Sequence, residues 1–262
     1  MRFRSEKAAG GFAILLAACA SLDGLTDGPP DTQVDAAADA TVDAVTADAA
    51  LDAGRESCPP MPGNAAAPTV AASCAASDGC APSPFDASVL QWRPLPHESA
   101  CSAAQIDAFD VACFGADAGN ASCNAFKANN AACTKCIVNP RPGGDLGAIL
   151  VFPGLSVTII NVGACIAAID PCAIDCAMAV RLFAECETRA CAPACAGAPT
   201  IAQLDCFQQA ASCPCQAYSH VVTSCLAALQ NGPSPAAQCD PPGASLDDNL
   251  KAAAKVLCGN GA

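Results

Sequence analysis

Residues 172–191, CAIDCAMAVRLFAECETRAC, set Cys172, Cys176, Ala179, Phe183, Cys186 and Ala190 at steps of four and three. Such steps keep to one face of an α-helix. The stretch therefore predicts a helix whose cysteines hold positions that core hydrophobes usually take. Asp170 followed by Pro171 supplies a start signal, an N-cap side chain and a first-turn proline. Arg181 and Glu185 fall opposite the cysteine seam, four residues apart and spaced to pair. Inward-facing cysteines can reach neighbouring helices, because a disulfide needs Cα atoms roughly 4.4–6.8 Å apart. The expected fold class is mainly α, a helical bundle stapled through its core by disulfides.

Working outward, helix starts recur on both sides. Ser102 with Gln105 forms a capping-box pattern before AAQIDAFDVACF, and Ser122 precedes CNAFKANNAACTKCI, with Pro140 soon after its end. Thr200 with Gln203 repeats the capping pattern before IAQLDCFQQAA. QAYSHVVTSCLAALQ ends before Asn231-Gly232, and Ser245 with Asp248 opens LDDNLKAAAKVLC, which Gly259 stops. The sum is about six helices. Between them GAILVF and SVTIIN are short and rich in β-branched residues around Pro153-Gly154, which predicts one small β-hairpin followed by a short helix around Cys165.

Three regions follow from composition. Residues 1–18 have the form of a signal peptide: Arg2, Arg4 and Lys7 precede an apolar run from Gly10 to Ala18. That run is shorter than the ~20 residues a spanning helix needs. Residues 19–57 carry Asp at 23, 27, 31, 35, 39, 43, 48 and 52, with Gly28-Pro29-Pro30 and no aromatic residue. Like charges four apart oppose a helix, and so little apolar surface cannot offset the entropy of ordering. This segment is expected to be a disordered, self-repelling spacer with an end-to-end distance of roughly 35 Å. Residues 58–262 form the cysteine-rich ectodomain, of which 58–100 are an irregular lead-in rich in Pro, Ala and Ser, with Trp92 tucked against the body.

The chain has 21 cysteines, an odd number, and the first stands apart from the rest. Leu16-Ala17-Ala18-Cys19 resembles the lipobox of bacterial lipoproteins. The resemblance implies cleavage before Cys19 and a diacylglycerol on its sulfur. Ala20, rather than an Asp, follows it, which under the same resemblance favours the outer membrane over the inner. Every other cysteine is a disulfide candidate: Cys58, Cys74, Cys80, Cys101, Cys113, Cys123, Cys133, Cys136, Cys165, Cys172, Cys176, Cys186, Cys191, Cys195, Cys206, Cys213, Cys215, Cys225, Cys239 and Cys258. Such density in an exported chain marks a disulfide scaffold. The connectivity cannot be read from spacing. From about Trp92 to Cys258, the order of Cys101, Cys113, Cys123, ACTKC, NVGACIAAIDP and CETRACAPAC resembles cysteine-rich lipoproteins of myxobacterial type. That resemblance implies location and architecture, not an activity.

Charge and motifs exclude several functions. The net charge is −13, and residues 58–262 carry 15 acidic against 8 basic side chains, the basic ones scattered. Nucleic-acid binding needs clustered Lys and Arg. Neither His97 nor His220 sits in a metal-binding motif, and no nucleophile elbow or phosphate loop occurs. The one chemical candidate is Cys133-Thr134-Lys135-Cys136, a C-x-x-C in which Lys135 could lower a thiol pKa. It lies near a predicted helix end, where the backbone dipole disfavours a thiolate. The preferred reading is two structural staples with different partners, and no catalytic residue, metal ligand or cofactor is assigned. The expectation is a lipid-anchored, non-enzymatic structural or binding module of the cell envelope. Its partners would be the membrane through Cys19 and an unknown protein or small apolar ligand. The rivals are a thiol–disulfide oxidoreductase using Cys133 and Cys136, and a carrier of a small apolar ligand.

Overall fold

The computed structural model describes residues 80–82, 98–115, 118–139, 147–152 and 154–260. The signal segment, Cys19, the spacer, Cys58, Cys74, Trp92 and His97 lie outside the described residues. In chain order, α1 (Ala103–Cys113), α2 (Asn120–Asn129) and α3 (Ala131–Ile137) lead into short strands β1 (Val138–Asn139), β2 (Ile149–Leu150) and β3 (Ile159–Ile160). Then come α4 (Val162–Ile169), a 3-10 turn (Pro171–Ala173), α5 (Ile174–Cys195), α6 (Thr200–Ser212), α7 (Gln216–Asn231), a second 3-10 turn (Pro235–Cys239) and α8 (Leu246–Cys258). The fold is mainly helical with a small sheet and many disulfides, as the cysteine seam implies.

Several starts form for the local reason anticipated. Ser102 Oγ accepts from the Gln105 N–H while the Gln105 side chain accepts from the Ser102 N–H. Ser245 and Asp248 make the same reciprocal pair at α8. The Asp170 carboxylate accepts from the Cys172 N–H, but it caps the 3-10 turn, and α5 proper begins at Ile174. Asp170 also accepts from the Ser234 hydroxyl at 2.6 Å, which ties the two 3-10 turns together.

Other starts differ from expectation. Ser122 is not an N-cap: α2 begins at Asn120 behind Gly119, and the Ser122 hydroxyl accepts from the Gly119 N–H. The single helix expected from Cys123 to Ile137 is two, broken at Asn130. Asn130 leaves the helical region (φ −133, ψ 47), and its side chain donates to the Phe126 carbonyl and accepts from Gln105 Nε2. These bonds hold Asn130 at the break, while its N–H still donates to the Phe126 carbonyl. At α6, Pro199 rather than Thr200 occupies the cap position, and there is no capping box. Gln203 is almost fully buried and looks outward from its helix. Its Oε1 accepts from the Ser156 N–H and hydroxyl, and its Nε2 donates to the Ala198 and Cys195 carbonyls.

The anticipated hairpin is the antiparallel pair β2–β3, with Ile149 opposite Ile160 and Leu150 opposite Ile159. A third strand, β1, runs parallel to β2, with Val138 opposite Ile149. Two residues ahead of a proline carry too little pattern to reveal a strand.

Helix α5 is the axis of the molecule. It packs against α4, α6 and α7, while α8 joins α4 to the α1–α3 layer. Because neighbours surround it, Arg181 and Glu185 are buried rather than solvent-facing, although they pair as spaced, at 3.6 Å. Glu185 also takes a 2.7 Å bond from Arg189. Four disulfides radiate from α5: Cys176 to Cys225 in α7, Cys186 to Cys215 at the start of α7, Cys191 to Cys206 in α6, and Cys195 to Cys80. The last two hold the final turn of α5, which continues through Pro193. Elsewhere the chain before α1 lies beside the end of α8: the Cys101 N–H donates to the Cys258 carbonyl and the Asn260 N–H donates to the Cys101 carbonyl. Buried side chains from Cys101 to Cys258 form one contiguous core, much of it Cys and Ala.

Candidate functional site

The C-x-x-C pair lies on the seven-residue helix α3, where Cys133 and Cys136 are both buried. Cys133 is bonded to Cys101 and Cys136 to Cys258. The two sulfurs therefore belong to separate bridges, and Lys135 between them is exposed. Two further bridges, Cys113–Cys123 and Cys165–Cys239, tie α1 to α2 and α4 to the second 3-10 turn. Cys172 and Cys213 are disulfide-bonded as well. Among the described residues every cysteine is thus closed, which leaves no thiolate nucleophile or thiolate ligand. The sulfurs of Cys80, Cys195 and Cys206 come within 4.8 Å of one another, but all three are in disulfides and have no lone thiolate to offer a metal. His220 is exposed on α7.

The structure assembles a different feature. Residues 157–162, spanning β3 and the start of α4, pass over one face of α5, and a cavity of about 50 Å³ remains between them, closed on a third side by Phe207 of α6. From α5 come Val180, Phe183, Ala184 and Glu187, the i, i+3, i+4, i+7 positions of one helical face. Val157, Ile160 and Val162 line the opposite wall. At about 30 Å³ of liquid volume per water, the space corresponds to roughly two waters. Two polar groups interrupt the apolar lining. Thr158 is buried and its hydroxyl has no hydrogen-bond partner. Glu187 is 9 % exposed, and desolvation alone pushes its carboxyl well above the usual carboxylate range. No hydrogen bond and no charged neighbour counters that shift. The charges of the same helix are engaged elsewhere, Glu185 lying between Arg181 and Arg189.

Sequence reasoning passed over both residues. Glu187 follows Cys186 and looks like one more charge in ECETR; the available signal was its helical register with Val180 and Phe183. Thr158 sat unremarked inside a β-branched run. No helix among the described residues is long and apolar enough to cross a membrane. The density of closed disulfides is compatible with an extracytoplasmic location. Compared with protein-family models, with curated proteins and with solved structures, the chain finds no match.

Proposed function

We propose that this protein is a lipoprotein of the cell envelope, held by an acylated Cys19 at the outer membrane, whose disulfide-stapled ectodomain works as a non-catalytic binding or structural module. The observation that carries this reading is the closure of every described cysteine, with Cys133 and Cys136 committed to different partners, Cys101 and Cys258. A working oxidoreductase must cycle one accessible pair of thiols. Buried sulfurs in separate bridges support a scaffold instead. The oxidising compartment such a scaffold needs lies beyond the cytoplasmic membrane, in keeping with the lipobox-like Leu16-Ala17-Ala18-Cys19. The spacer, self-repelling and acidic, would hold the ectodomain off the bilayer.

Two assays test the reading. Cells fed a labelled fatty acid should transfer label to the wild type and not to Cys19→Ser; a labelled serine variant refutes the anchor. The oxidised protein should reduce insulin no faster than a thiol-matched control. Turnover that disappears in a folded Cys133→Ser/Cys136→Ser variant would establish a redox enzyme and remove the scaffold reading.

A further inference from the structure

The geometry points to the cavity between residues 157–162, α5 and α6 as a binding site for a small apolar amine, with its ammonium group against Glu187 and its hydrocarbon body against Phe183, Phe207 and Ile160. The inference goes beyond the anchored-module reading and needs only the folded ectodomain, not the lipid.

Three observations support it. First, Glu187 is about nine-tenths buried as a residue and makes neither a hydrogen bond nor an ion pair among the described residues, which is costly, since buried polar groups are normally satisfied. It can be satisfied by a group that arrives from outside, and it lines a space of about 50 Å³, partly open to solvent, that admits the head of such a ligand while the rest lies in its mouth. Second, Thr158 brings a hydroxyl without a partner to the same lining. An ammonium has three donors, enough to serve a carboxylate and a hydroxyl oxygen together. Third, the charge of the molecule selects the sign of the ligand. Residues 58–262 carry 15 acidic and 8 basic side chains, so the surrounding field concentrates cations and repels anions such as fatty acids. The remaining walls are apolar and bind the body of the ligand by excluding water. The bound state is a carboxylate–ammonium pair, and any proton that Glu187 carries passes to solvent as the ammonium enters.

The test uses the full chain, purified in detergent with its disulfides intact, and titrates isobutylamine by calorimetry at neutral pH. n-Butanol serves as a neutral comparison and butyrate as an anionic one. A ligand of five heavy atoms is expected to bind with a Kd of about 1 mM, well within what its size permits. Glu187→Gln should weaken amine binding at least tenfold, and the alcohol and the acid should bind no better to wild type than to that variant. Ala184→Leu fills the cavity while leaving the Glu187 carboxyl in place and should abolish binding. Both variants are checked for native circular dichroism and an absence of free thiols. Should Glu187→Gln fail to fold, Ala184→Leu together with the two comparison ligands decides the matter. Equal binding of the amine to wild type and Ala184→Leu overturns the proposal. So does binding of butanol or butyrate as tight as that of the amine, or no saturable heat up to 20-fold above the expected Kd. Amine binding by a protein that takes no lipid label would sink the anchor alone. Labelling without binding would sink this site alone.

Discussion

At the scale of single residues, the most consequential side chain is one with no partner. Glu187 is placed by helical register beside Val180 and Phe183, and burial raises its pKa well above the usual range. A carboxyl whose pKa is higher folded than unfolded binds more protons in the native state between those two values. Stability therefore falls as pH rises through that window, starting from the unfolded value of ~4.3. Glu187→Gln keeps the shape and removes the ionisation. The variant is expected to resist urea better than wild type at neutral pH and to match it below about pH 4. Urea midpoints measured across that range check the sign; a variant less stable at neutral pH would show that Glu187 has a favourable partner. Gln203 teaches the complementary lesson. Its spacing from Thr200 reads as a capping box, yet its amide joins Ser156 to the end of α5 through four hydrogen bonds. Nothing local in the sequence marks a partner 47 residues away.

At the scale of elements, α4 and α5 meet backbone to backbone at Gly163. A Cβ built on Gly163 would stand 2.6 Å from the Ala177 carbonyl oxygen and 3.1 Å from the Arg181 Cβ. The obstacle is backbone, so the helices must separate to admit even one methyl group. Gly163→Ala is expected to cost about 1–3 kcal/mol, the usual penalty for overpacking, although alanine has the better helix propensity. A denaturant midpoint unchanged or raised would show that α4 shifts freely. The elements legible from sequence were those whose signals are short-range: the capping boxes at Ser102 and Ser245, the seam of α5 and the β-branched pair β2–β3. The break at Asn130 was not legible, because the Gln105 side chain that donates to Asn130 comes from another helix.

At the scale of the whole molecule, cross-links stand in for bulk. The core is built largely from Cys and Ala, which bury little area each, so closing loops in the unfolded chain contributes much of the stability. Cys113–Cys123 spans 10 residues and Cys136–Cys258 spans 122, but Cys165–Cys239 is nested inside the longer loop. With the nested bridge in place the longer loop is effectively about 50 residues, so its removal should cost about 4 kcal/mol against about 3 kcal/mol for the short one. Urea unfolding of Cys136→Ala/Cys258→Ala and Cys113→Ala/Cys123→Ala checks the order. A larger loss from the short loop would mean that native packing around Cys113, not chain entropy, dominates.

The fold class was settled by the sequence itself, because helical periodicity and end signals are local and the cysteines fall in phase with them. Which cysteine meets which, the burial of the Arg181–Glu185 pair, the third strand and the cavity at Glu187 were decided only by tertiary structure. Each depends on which elements pack against which face, and that is fixed by the joint filling of one core by residues from Cys101 to Cys258, information that no single stretch of chain contains.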